Sequence, residues 1–374
     1  MRHEPRLDGL RGLAILLVVF SHAGDRLGLE GVVGEVYRTA VGMGWTGVDL
    51  FFVLSGFLIT SILQESADRP GYWRNFYARR TLRIFPIYYL WLLFMLVLVP
   101  QIGFFDRFGW RLPADVSPLW YWLYASNLLF ALEGEWLIPI LSITWSLAIE
   151  EQFYLVWPWV VRALRGVSLA RVCAVGFGLA LLLRIALVWT DVAPLAVFVL
   201  TPCRFDGLLA GAFVAAIARE PGGGARLLAA SRLALPISAA LLLAVVIAIR
   251  SGVVPPGPHP DLSLQPLMQT LGYSLVAALY ASLLVPLWFG SARWTRFFAQ
   301  PLLRRFGKYS YALYLTHTFV GGFFVLYVLN PFDHGWLVGL LSYPLEWAAQ
   351  LAVAALSWWA IESRILRLKS RFRS

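Results

Sequence analysis

The amino-acid sequence predicts an all-α, polytopic membrane helix bundle, and three observations lead to this fold class. Of the 374 residues, 59% are hydrophobic and 14% are charged, whereas soluble globular domains usually carry about 25% charged residues. The apolar residues occur in stretches long enough to cross the ~30 Å hydrocarbon core of a bilayer as helices. The 17 Trp and 25 Phe residues suit lipid-facing surfaces and interfacial belts.

Ten apolar stretches are predicted to be transmembrane helices. A further stretch, residues 119–132, is short for a span and fits an interfacial or re-entrant segment. The whole chain, 1–374, is expected to form one integral-membrane domain with a basic tail at about 362–374. The ten predicted spans are 10–28, 43–63, 84–104, 141–161, 172–190, 203–218, 233–250, 268–290, 309–329 and 336–359.

The distribution of basic residues predicts the orientation of these spans. With ten spans and a cytoplasmic N-terminus, 24 of the 31 Lys and Arg residues fall on the cytoplasmic side, as the positive-inside rule requires. An eleventh span would move the last 16 of them outside. Both termini are therefore predicted to be cytoplasmic. The same topology explains the net charge of +10 without a nucleic-acid partner.

The N-terminal segment and the two cysteines yield two smaller predictions. A short basic stretch precedes the first span and no small-residue cleavage pattern follows it, which predicts a retained helix rather than a signal peptide. Cys173 lies at the start of one predicted span, 172–190, and Cys203 lies at the start of the next, 203–218, so that a whole membrane crossing separates them. They are expected to remain free, because bridged Cα atoms must lie within about 7 Å.

Arg11 and His22 are the most informative polar residues of the first predicted helix. They lie in the apolar stretch RGLAILLVVFSHAG. Eleven helical steps of about 100° leave the two side chains ~20° apart around the axis and ~16 Å apart along it. An ionisable residue at the depth of His22 is costly without partners and marks a functional site by default. The two side chains are therefore expected to lie on one face of the helix at different depths in the bilayer.

Several other ionisable residues lie within the predicted spans, and six of the set are expected in the outer half of the membrane. A histidine beside carboxylates is suited to general-base catalysis. Consecutive glutamates point ~100° apart, so one of Glu150 and Glu151 is expected to face the centre. Alternatively, each polar residue pairs helices structurally. The six are His22, Asp49, Glu150, Glu151, Arg204 and Asp206, and the others are Arg184, His317 and Glu346.

Arginines cluster at the predicted cytoplasmic end of the third span, in RRTLRIFP. Helical spacing places Arg80 or Arg79 on the same face as Arg83. Positive-inside anchoring explains this cluster, and so does a phosphate clamp, since the planar guanidinium binds oxyanions in pairs. Arg11 lies on the same side, so an anionic cofactor held there could extend its reactive end toward His22.

The five histidines do not predict a metal site. Metal-binding histidines usually recur at short, regular spacings, whereas these are scattered along the chain. His3, His259 and His334 are expected to be solvated in the N-terminal tail and the outer loops. His317 shares a helix face with Tyr314 and is interpreted either as a hydrogen-bonded structural histidine or as a site residue.

Six segments, in order along most of the chain, resemble the acyltransferase 3 family of integral-membrane acyltransferases. Members of that family O-acylate surface polysaccharides, lipid-linked glycans and some secondary metabolites. Each motif alone is weak, and the combination is specific. The segments are RLDGLRGLAILLVVFSHAG at 6–24, GVDLFFVLSGFLIT at 47–60, RRTLRIFPIYYL at 79–90, WSLAIEEQFYLVWP at 145–158, RFDGLLAG at 204–211 and YSYALYLTH at 309–317.

The resemblance implies roles for particular residues. The family's basic-residue-then-histidine motif falls on Arg11 and His22, and the histidine is regarded as catalytic. Some relatives carry a fused C-terminal hydrolase-like domain; the printed chain stops without one, which leaves open a separate acyl-accepting partner protein. The other matching positions are Arg80 and Arg83 for the acyl-CoA donor, Glu150 or Glu151 for the family glutamate, and Arg204 with Asp206 for the Arg-x-Asp-Gly motif.

These observations predict an acyltransferase in the bacterial cytoplasmic membrane. Acyl-CoA, most simply acetyl-CoA, is expected to bind from the cytoplasm with its phosphates near Arg11, Arg80 and Arg83. His22, oriented by Glu150 or Glu151 or by Asp206, would deprotonate a hydroxyl of a cell-surface glycan or small-molecule acceptor. Arg204 would stabilise the oxyanion or pair with Asp206, and Asp49 is grouped with the substrate contacts.

Two other classes of protein are considered. A transporter or flippase of an anionic or glycan substrate would also place polar residues at mid-depth, and inverted repeats would be its sequence signature. No such repeat is seen in the sequence. A purely structural scaffold explains the chain poorly, because it has no reason to concentrate six ionisable groups in one leaflet.

Overall fold

The long apolar stretches fold into helices because a helix satisfies its own backbone hydrogen bonds, which is the main requirement for a segment in lipid. The computed structural model describes residues 4–101, 103, 112–164, 167–255, 257, 259–290, 292–329 and 336–372, and no strand occurs in these ranges. We number the helices in chain order. They are α1 (Pro5–Ala23), α2 (Gly31–Gly42), α3 (Thr46–Ser66), α4 (Tyr72–Leu93), α5 (Leu119–Trp122), α6 (Ser126–Glu133), α7 (Thr144–Ala163), α8 (Val167–Trp189), α9 (Pro194–Val199), α10 (Thr201–Ala218), α11 (Gly223–Arg250), α12 (Tyr273–Phe289), α13 (Ala292–Phe298), α14 (Pro301–Phe324), α15 (Trp336–Ser357) and α16 (Ser363–Arg367).

Short π-helical turns lengthen four of these helices. They precede α12 and follow α4, α14 and α15, so that each helix and its turn form one continuous rod. Insertions of this kind relax the regular hydrogen-bond ladder by one residue and are often found near functional sites. The turns are Phe94–Leu98, Met268–Gly272, Val325–Leu329 and Trp358–Glu362.

Eight helical segments of the described residues are long and apolar enough to cross a membrane, which confirms the predicted all-α, multi-pass membrane fold. The other two predicted spans correspond to α1 and α7, which are 19 and 20 residues long and carry several charged side chains among their apolar ones. The eight segments are Gly31–Ser66, Tyr72–Gln101, Ser168–Trp189, Pro194–Ala218, Gly223–Arg250, Met268–Phe289, Pro301–Leu329 and Trp336–Phe372.

Several helix boundaries differ from the predicted ones; helix α11, for example, begins at Gly223 rather than at 233. Helix α4 begins at Tyr72, well before residue 84, so the arginines of RRTLRIFP lie inside the helix rather than ahead of it. Helix α14 likewise begins at Pro301 rather than at 309. Helix α2 occupies a stretch left outside the predicted spans. In each case the extra helical turns carry charged or small residues, so a search for apolar stretches does not detect them.

The segment 119–132 contains two short helices, α5 and α6, rather than one helix long enough to cross a membrane, and its interfacial or re-entrant character stays a prediction. Tyr124 has a positive φ of 53° between them, which breaks the helix. The buried Asn127 donates hydrogen bonds to the Val199 carbonyl and the Thr201 hydroxyl, at 3.2 and 2.8 Å. This segment is therefore fastened to the junction of α9 and α10.

Two close helix crossings determine the arrangement of the bundle. Helix α1 packs along α14, where a Cβ added at Gly307 would lie 1.7 Å from the Asp8 carbonyl oxygen. Helix α3 packs along α10, where a Cβ added at Gly56 would lie 1.8 Å from the Leu208 carbonyl oxygen. Small residues allow membrane helices to approach this closely. The first crossing brings the end of α1 that carries His22 beside α14.

Cys173 and Cys203 are both buried and free, as predicted. The cytoplasmic location of the termini stays a prediction from the charge distribution.

Candidate functional site

His22 on α1 and His317 on α14 lie in direct ring contact. Their ring centroids are 4.7 Å apart and their planes meet at 85°. The His317 side chain is buried, at 1% exposure, whereas His22 is exposed to the cavities that surround it. Of the two interpretations offered for His317, the contact with His22 favours a site residue.

Backbone carbonyl groups determine the protonation pattern of both rings. Nδ1 of His22 lies 2.9 Å from the Val18 carbonyl oxygen, and Nδ1 of His317 lies 2.8 Å from the Tyr314 carbonyl oxygen. A carbonyl oxygen only accepts, so each Nδ1 carries the proton and donates it, which leaves Nε2 unprotonated in a neutral imidazole. Nε2 of His317 is buried without a hydrogen-bond partner among the described residues. Both rings thus present a free basic nitrogen.

Three arginines line one cavity, which we call the arginine cavity. Arg80 and Arg83 enter it from α4 and Arg11 enters it from α1, together with Glu150 from α7. Three cations and one carboxylate give this lining a formal charge of +2 (3 − 1). Arg79 is exposed and is not part of the lining, so Arg80 is the residue that shares a face with Arg83.

Hydrogen bonds fix Glu150 within the arginine cavity. Ser55 donates a 2.7 Å hydrogen bond to Glu150 Oε1 and accepts one of 3.1 Å from the Tyr154 hydroxyl. The Arg80 guanidinium lies 5.5 Å from the centroid of the Tyr154 ring. Of the two consecutive glutamates, Glu150 faces this cavity, whereas Oε1 of Glu151 is buried without a hydrogen-bond partner in the part of the chain that the structure describes.

A second cavity borders the arginine cavity and reaches His22. We call it the tryptophan cavity, since Trp45, Trp136 and Trp145 line it together with His22. Val48 and Tyr314 line both this cavity and the arginine cavity. The Tyr314 hydroxyl shares a 2.5 Å hydrogen bond with Ser146 Oγ. The two cavities therefore adjoin at Val48 and Tyr314, and the tryptophan cavity reaches the His22 ring.

A third cavity reaches His22 from another side. We call it the glycine cavity, and it is lined by His22, Arg26, His317, Thr318, Gly321, Gly322 and Glu346, with apolar residues around them. Arg26 and Glu346 form an ion pair of 2.5 Å. Among the described residues, the glycine and tryptophan cavities share His22 alone, and the glycine and arginine cavities share none.

Asp49, Arg184, Arg204 and Asp206 form a buried ion-pair network that lines none of these cavities, although Arg204 lies against the Trp45 and Trp145 rings of the tryptophan cavity. Arg204 Nη2 lies 2.7 Å from Asp49 Oδ1, and Arg184 Nη2 lies 2.8 Å from Asp206 Oδ2. Ser274 donates a further hydrogen bond of 3.0 Å to Asp206. The network joins α3, α8, α10 and α12.

Both arginines of this network are enclosed. Arg184 also donates to the Gln269 carbonyl at 2.7 Å and to the Cys203 carbonyl. The Arg204 guanidinium lies 4.2 Å from the centroid of the Tyr273 ring. Arg184 thus has an anion and further hydrogen bonds, the usual requirement for a buried charge. Arg204 has an anion and aromatic contacts, whereas its Nε and Nη1 and Oδ2 of Asp49 are buried without a hydrogen-bond partner among the described residues.

The structure therefore does not bring the six predicted outer-half residues together around His22. Asp49, Arg204 and Asp206 belong to the ion-pair network, Glu150 lines the arginine cavity, and the Val18 carbonyl rather than a carboxylate orients His22. The physical reason is that depth in the membrane can be estimated from sequence, whereas the rotation of each helix is set by its packing.

Sequence reasoning also missed residues that border the site. Arg26 lies just after α1 and Glu346 on α15, more than 300 positions apart, and only the fold shows that they pair. Tyr314 had a detectable signal, because it lies three residues before His317 on one helix face. Its role as a residue common to two cavities was not predictable.

The structure contains no indication of a metal centre in the ranges it describes. No group of three or more His, Cys, Asp or Glu side chains there could hold a metal ion. His259 is exposed and lies 3.5 Å from Asp261, as expected for a loop histidine. His3 and His334 lie outside the described residues.

Comparison with known proteins adds three findings. Residues 4–362 match the family model described as an acyltransferase domain. The peptidoglycan O-acetyltransferase OatA of Listeria monocytogenes is 33% identical over 163 residues, which are 42% of this chain and 24% of that protein. YrhL of Bacillus subtilis, named as a candidate peptidoglycan O-acetyltransferase, is 37% identical over 164 residues, 42% of this chain and 23% of that protein.

The aligned region thus spans about a quarter of the length of these relatives. No solved structure matches the chain.

Proposed function

Because the chain belongs to the acyltransferase family whose model it matches over residues 4–362, we propose that it transfers an acetyl group from acetyl-CoA to a hydroxyl of a cell-envelope glycan. Membership of the family supports acyl transfer as the reaction. The names of the relatives support acetyl as the group transferred and a glycan as its acceptor. The observation that carries the proposal is that the cavity lined by the three arginines adjoins, at Tyr314, the cavity that reaches His22 and its unprotonated Nε2.

The arginine cavity supplies the chemistry that a CoA headgroup needs. CoA carries three phosphate groups, and guanidinium groups bind phosphate oxygens through paired, charge-assisted hydrogen bonds. Arg11, Arg80 and Arg83 give the cavity its positive charge. The predicted topology places the three arginines on the cytoplasmic side, where acyl-CoA is available.

The pantetheine arm spans the distance between headgroup and base. Arg11 and His22 lie on one face of α1, separated by ~16 Å along the helix axis. In the proposed complex the arm passes Tyr314, which borders both cavities. The thioester then lies beside the His22 ring.

His22 acts as the general base in the proposed reaction. Its Nε2 takes the proton of the acceptor hydroxyl as that oxygen bonds to the thioester carbonyl carbon. The carbon–sulfur bond then breaks, and the imidazolium returns the proton to the CoA thiolate. The Val18 carbonyl, which accepts from Nδ1–H, fixes the ring orientation and stabilises the imidazolium. Transfer through a transient acyl-histidine would use the same nitrogen.

Asp49, Arg204 and Asp206 take a structural role in this scheme. Asp49 pairs with Arg204, and Asp206 pairs with Arg184. None of the three lines the arginine, tryptophan or glycine cavity. Glu150 lies within the arginine cavity and, through its charge, limits the repulsion among the arginines there.

The direct test uses His22→Gln in membranes from the native host with its chromosomal gene deleted. Membranes that contain the wild-type protein are expected to incorporate alkali-labile label from [¹⁴C]acetyl-CoA and to release free CoA. We expect His22→Gln to reduce incorporation by about 100-fold or more, the usual contribution of a general base. The matched control is His259→Gln, which changes an exposed loop histidine and should retain wild-type incorporation.

Equal incorporation by His22→Gln and wild type would contradict the role of His22. Incorporation that does not depend on the gene at all would contradict the proposed reaction. Release of CoA separates this reaction from transport of a substrate without chemistry.

A further inference from the structure

We propose that the glycine cavity binds the acceptor, and that this acceptor is an uncharged molecule rich in hydroxyl groups, such as a neutral segment of a glycan; this inference rests on the proposed function. Among the described residues, His22 alone lines both the glycine cavity and the tryptophan cavity. The proposed base thus stands at the junction of two chambers. One chamber continues the donor path and the other is free for the acceptor.

His317, which lines the glycine cavity, carries an unused hydrogen-bond acceptor. Nε2 of His317 is buried without a partner in the described part of the chain, and its Nδ1 is committed to the Tyr314 carbonyl. A buried polar atom without a partner is costly unless a ligand or water supplies the missing bond. Since Nε2 is unprotonated, it needs a donor. A hydroxyl group of the acceptor supplies one.

The charge of the glycine cavity favours an uncharged acceptor. Its lining contains one cation, Arg26, and one anion, Glu346, which form an ion pair. The formal sum is zero (1 − 1) with both histidines neutral. The arginine cavity, by contrast, has a formal charge of +2 (3 − 1). The two chambers therefore differ in the charge of the substrate that each is suited to bind.

Two glycines keep this cavity open, for different reasons. A Cβ at Gly321 would lie 2.7 Å from Glu346 Oε1, so packing accounts for this glycine. A Cβ at Gly322 would meet no heavy atom within 4 Å in the part of the chain that the structure describes. No steric reason for glycine is visible at 322, although glycine disfavours a helix interior. The free space beside Gly322 fits a ligand.

The experiment fills this space with a side chain. Gly322→Leu adds a side chain that extends into the glycine cavity, and Gly178→Leu is the matched control. Gly178 is also a helical glycine whose Cβ would meet no described heavy atom within 4 Å, and it lines none of the three cavities. Each variant is tested for the affinity of purified protein for acetyl-CoA, and for alkali-labile label in native-host membranes that supply the acceptor.

We expect Gly322→Leu to bind acetyl-CoA within twofold of wild type and to incorporate at least tenfold less label. Gly178→Leu should match wild type in both measurements. Wild-type incorporation by Gly322→Leu would overturn the inference. In that case Gly42→Leu, which fills the tryptophan cavity, identifies the alternative. Loss of incorporation by Gly42→Leu would show that the acceptor enters by the tryptophan cavity instead.

A second variant covers the case in which Gly322→Leu fails to fold. Gly322→Cys introduces a small side chain, and the native Cys173 and Cys203 are buried. Membranes that contain the folded variant are treated with a methanethiosulfonate reagent and then supplied with labelled acetyl-CoA. Loss of incorporation after treatment of Gly322→Cys, but not of wild type, supports the inference, whereas unchanged incorporation by the modified protein overturns it.

Failure of this inference is distinguishable from failure of the proposed function. If His22→Gln abolishes incorporation while every change at Gly322 is tolerated, the reaction stands and the acceptor binds elsewhere. If wild-type membranes incorporate no gene-dependent label, the reaction itself is wrong.

Discussion

The arginine cavity and the buried ion-pair network contain the same kinds of side chain and differ in the balance of positive and negative charge. In the network, Arg184 and Arg204 each lie within 2.8 Å of a carboxylate oxygen. The arginine cavity is lined by three arginines and one carboxylate, that of Glu150, and Arg11 also pairs at 3.2 Å with Asp8, which lies outside the lining. Matched charges hold helices together, whereas an excess of one sign leaves binding capacity for a ligand of the other sign.

This difference shows why ionisable residues in apolar helices are not equivalent markers of function. A buried ion pair that loses one member leaves an uncompensated charge, which is strongly destabilising. A cationic cavity that loses one member loses affinity for its ligand instead. The two regions should therefore respond to substitution in different measurements.

The largest expected change is in the stability of the ion-pair network. Asp206→Asn removes the charge that faces Arg184, and we expect a loss of about 3–5 kcal/mol in the free energy of unfolding. Unfolding of the purified protein in detergent measures this loss. Glu65→Gln, at an exposed pair with Arg219 separated by 3.9 Å, is the control and should cost about 0–1 kcal/mol. An Asp206→Asn protein as stable as wild type would show that the network is not structural.

The next effect is on donor binding in the arginine cavity. Replacing both Arg80 and Arg83 by Gln removes hydrogen bonds to charged groups, which contribute about 1.5–3 kcal/mol each. We expect the acetyl-CoA concentration at half-maximal incorporation to rise by at least about tenfold, with little change in thermal stability. Arg79→Gln, one residue away but exposed, should leave both quantities unchanged. An unaltered concentration dependence in the double variant would favour simple positive-inside anchoring.

The smallest expected effect is at the passage between the arginine and tryptophan cavities. Tyr314→Phe and Ser146→Ala each remove the hydrogen bond that joins these side chains. Each should cost about 0.5–1.5 kcal/mol of stability, and the double variant should cost less than the sum of the two single losses. Additive losses in unfolding experiments would show that the two side chains do not interact.

The fold was largely predictable from sequence, because long apolar stretches in a bilayer have few alternatives to helices. Helix α2 and the early start of α4 were not predicted, since their polar turns lack the apolar signal. The alignment of Arg11 with His22 followed from helical geometry within one element. The contact of His317 with His22 did not, because it depends on the crossing of α1 and α14, which are far apart in the chain.

The grouping of the polar residues was the least predictable feature. Depth placed Asp49, Arg204 and Asp206 near His22, but depth carries no information about which way each helix faces. In a medium of low dielectric constant, opposite charges that can reach each other pair strongly. Pairing between helices keeps these residues out of the lining of the cavities that reach His22.

The measurement that tests the central claim most directly is mass spectrometry of envelope glycans from three strains of the native host: wild type, gene deletion, and deletion complemented with His22→Gln. The account predicts an alkali-labile acetyl group on a glycan in the wild type that is absent from both other strains, with His22→Gln protein present in the membrane at wild-type amounts. Identical glycans in all three strains, or acetylation restored by His22→Gln, would contradict it.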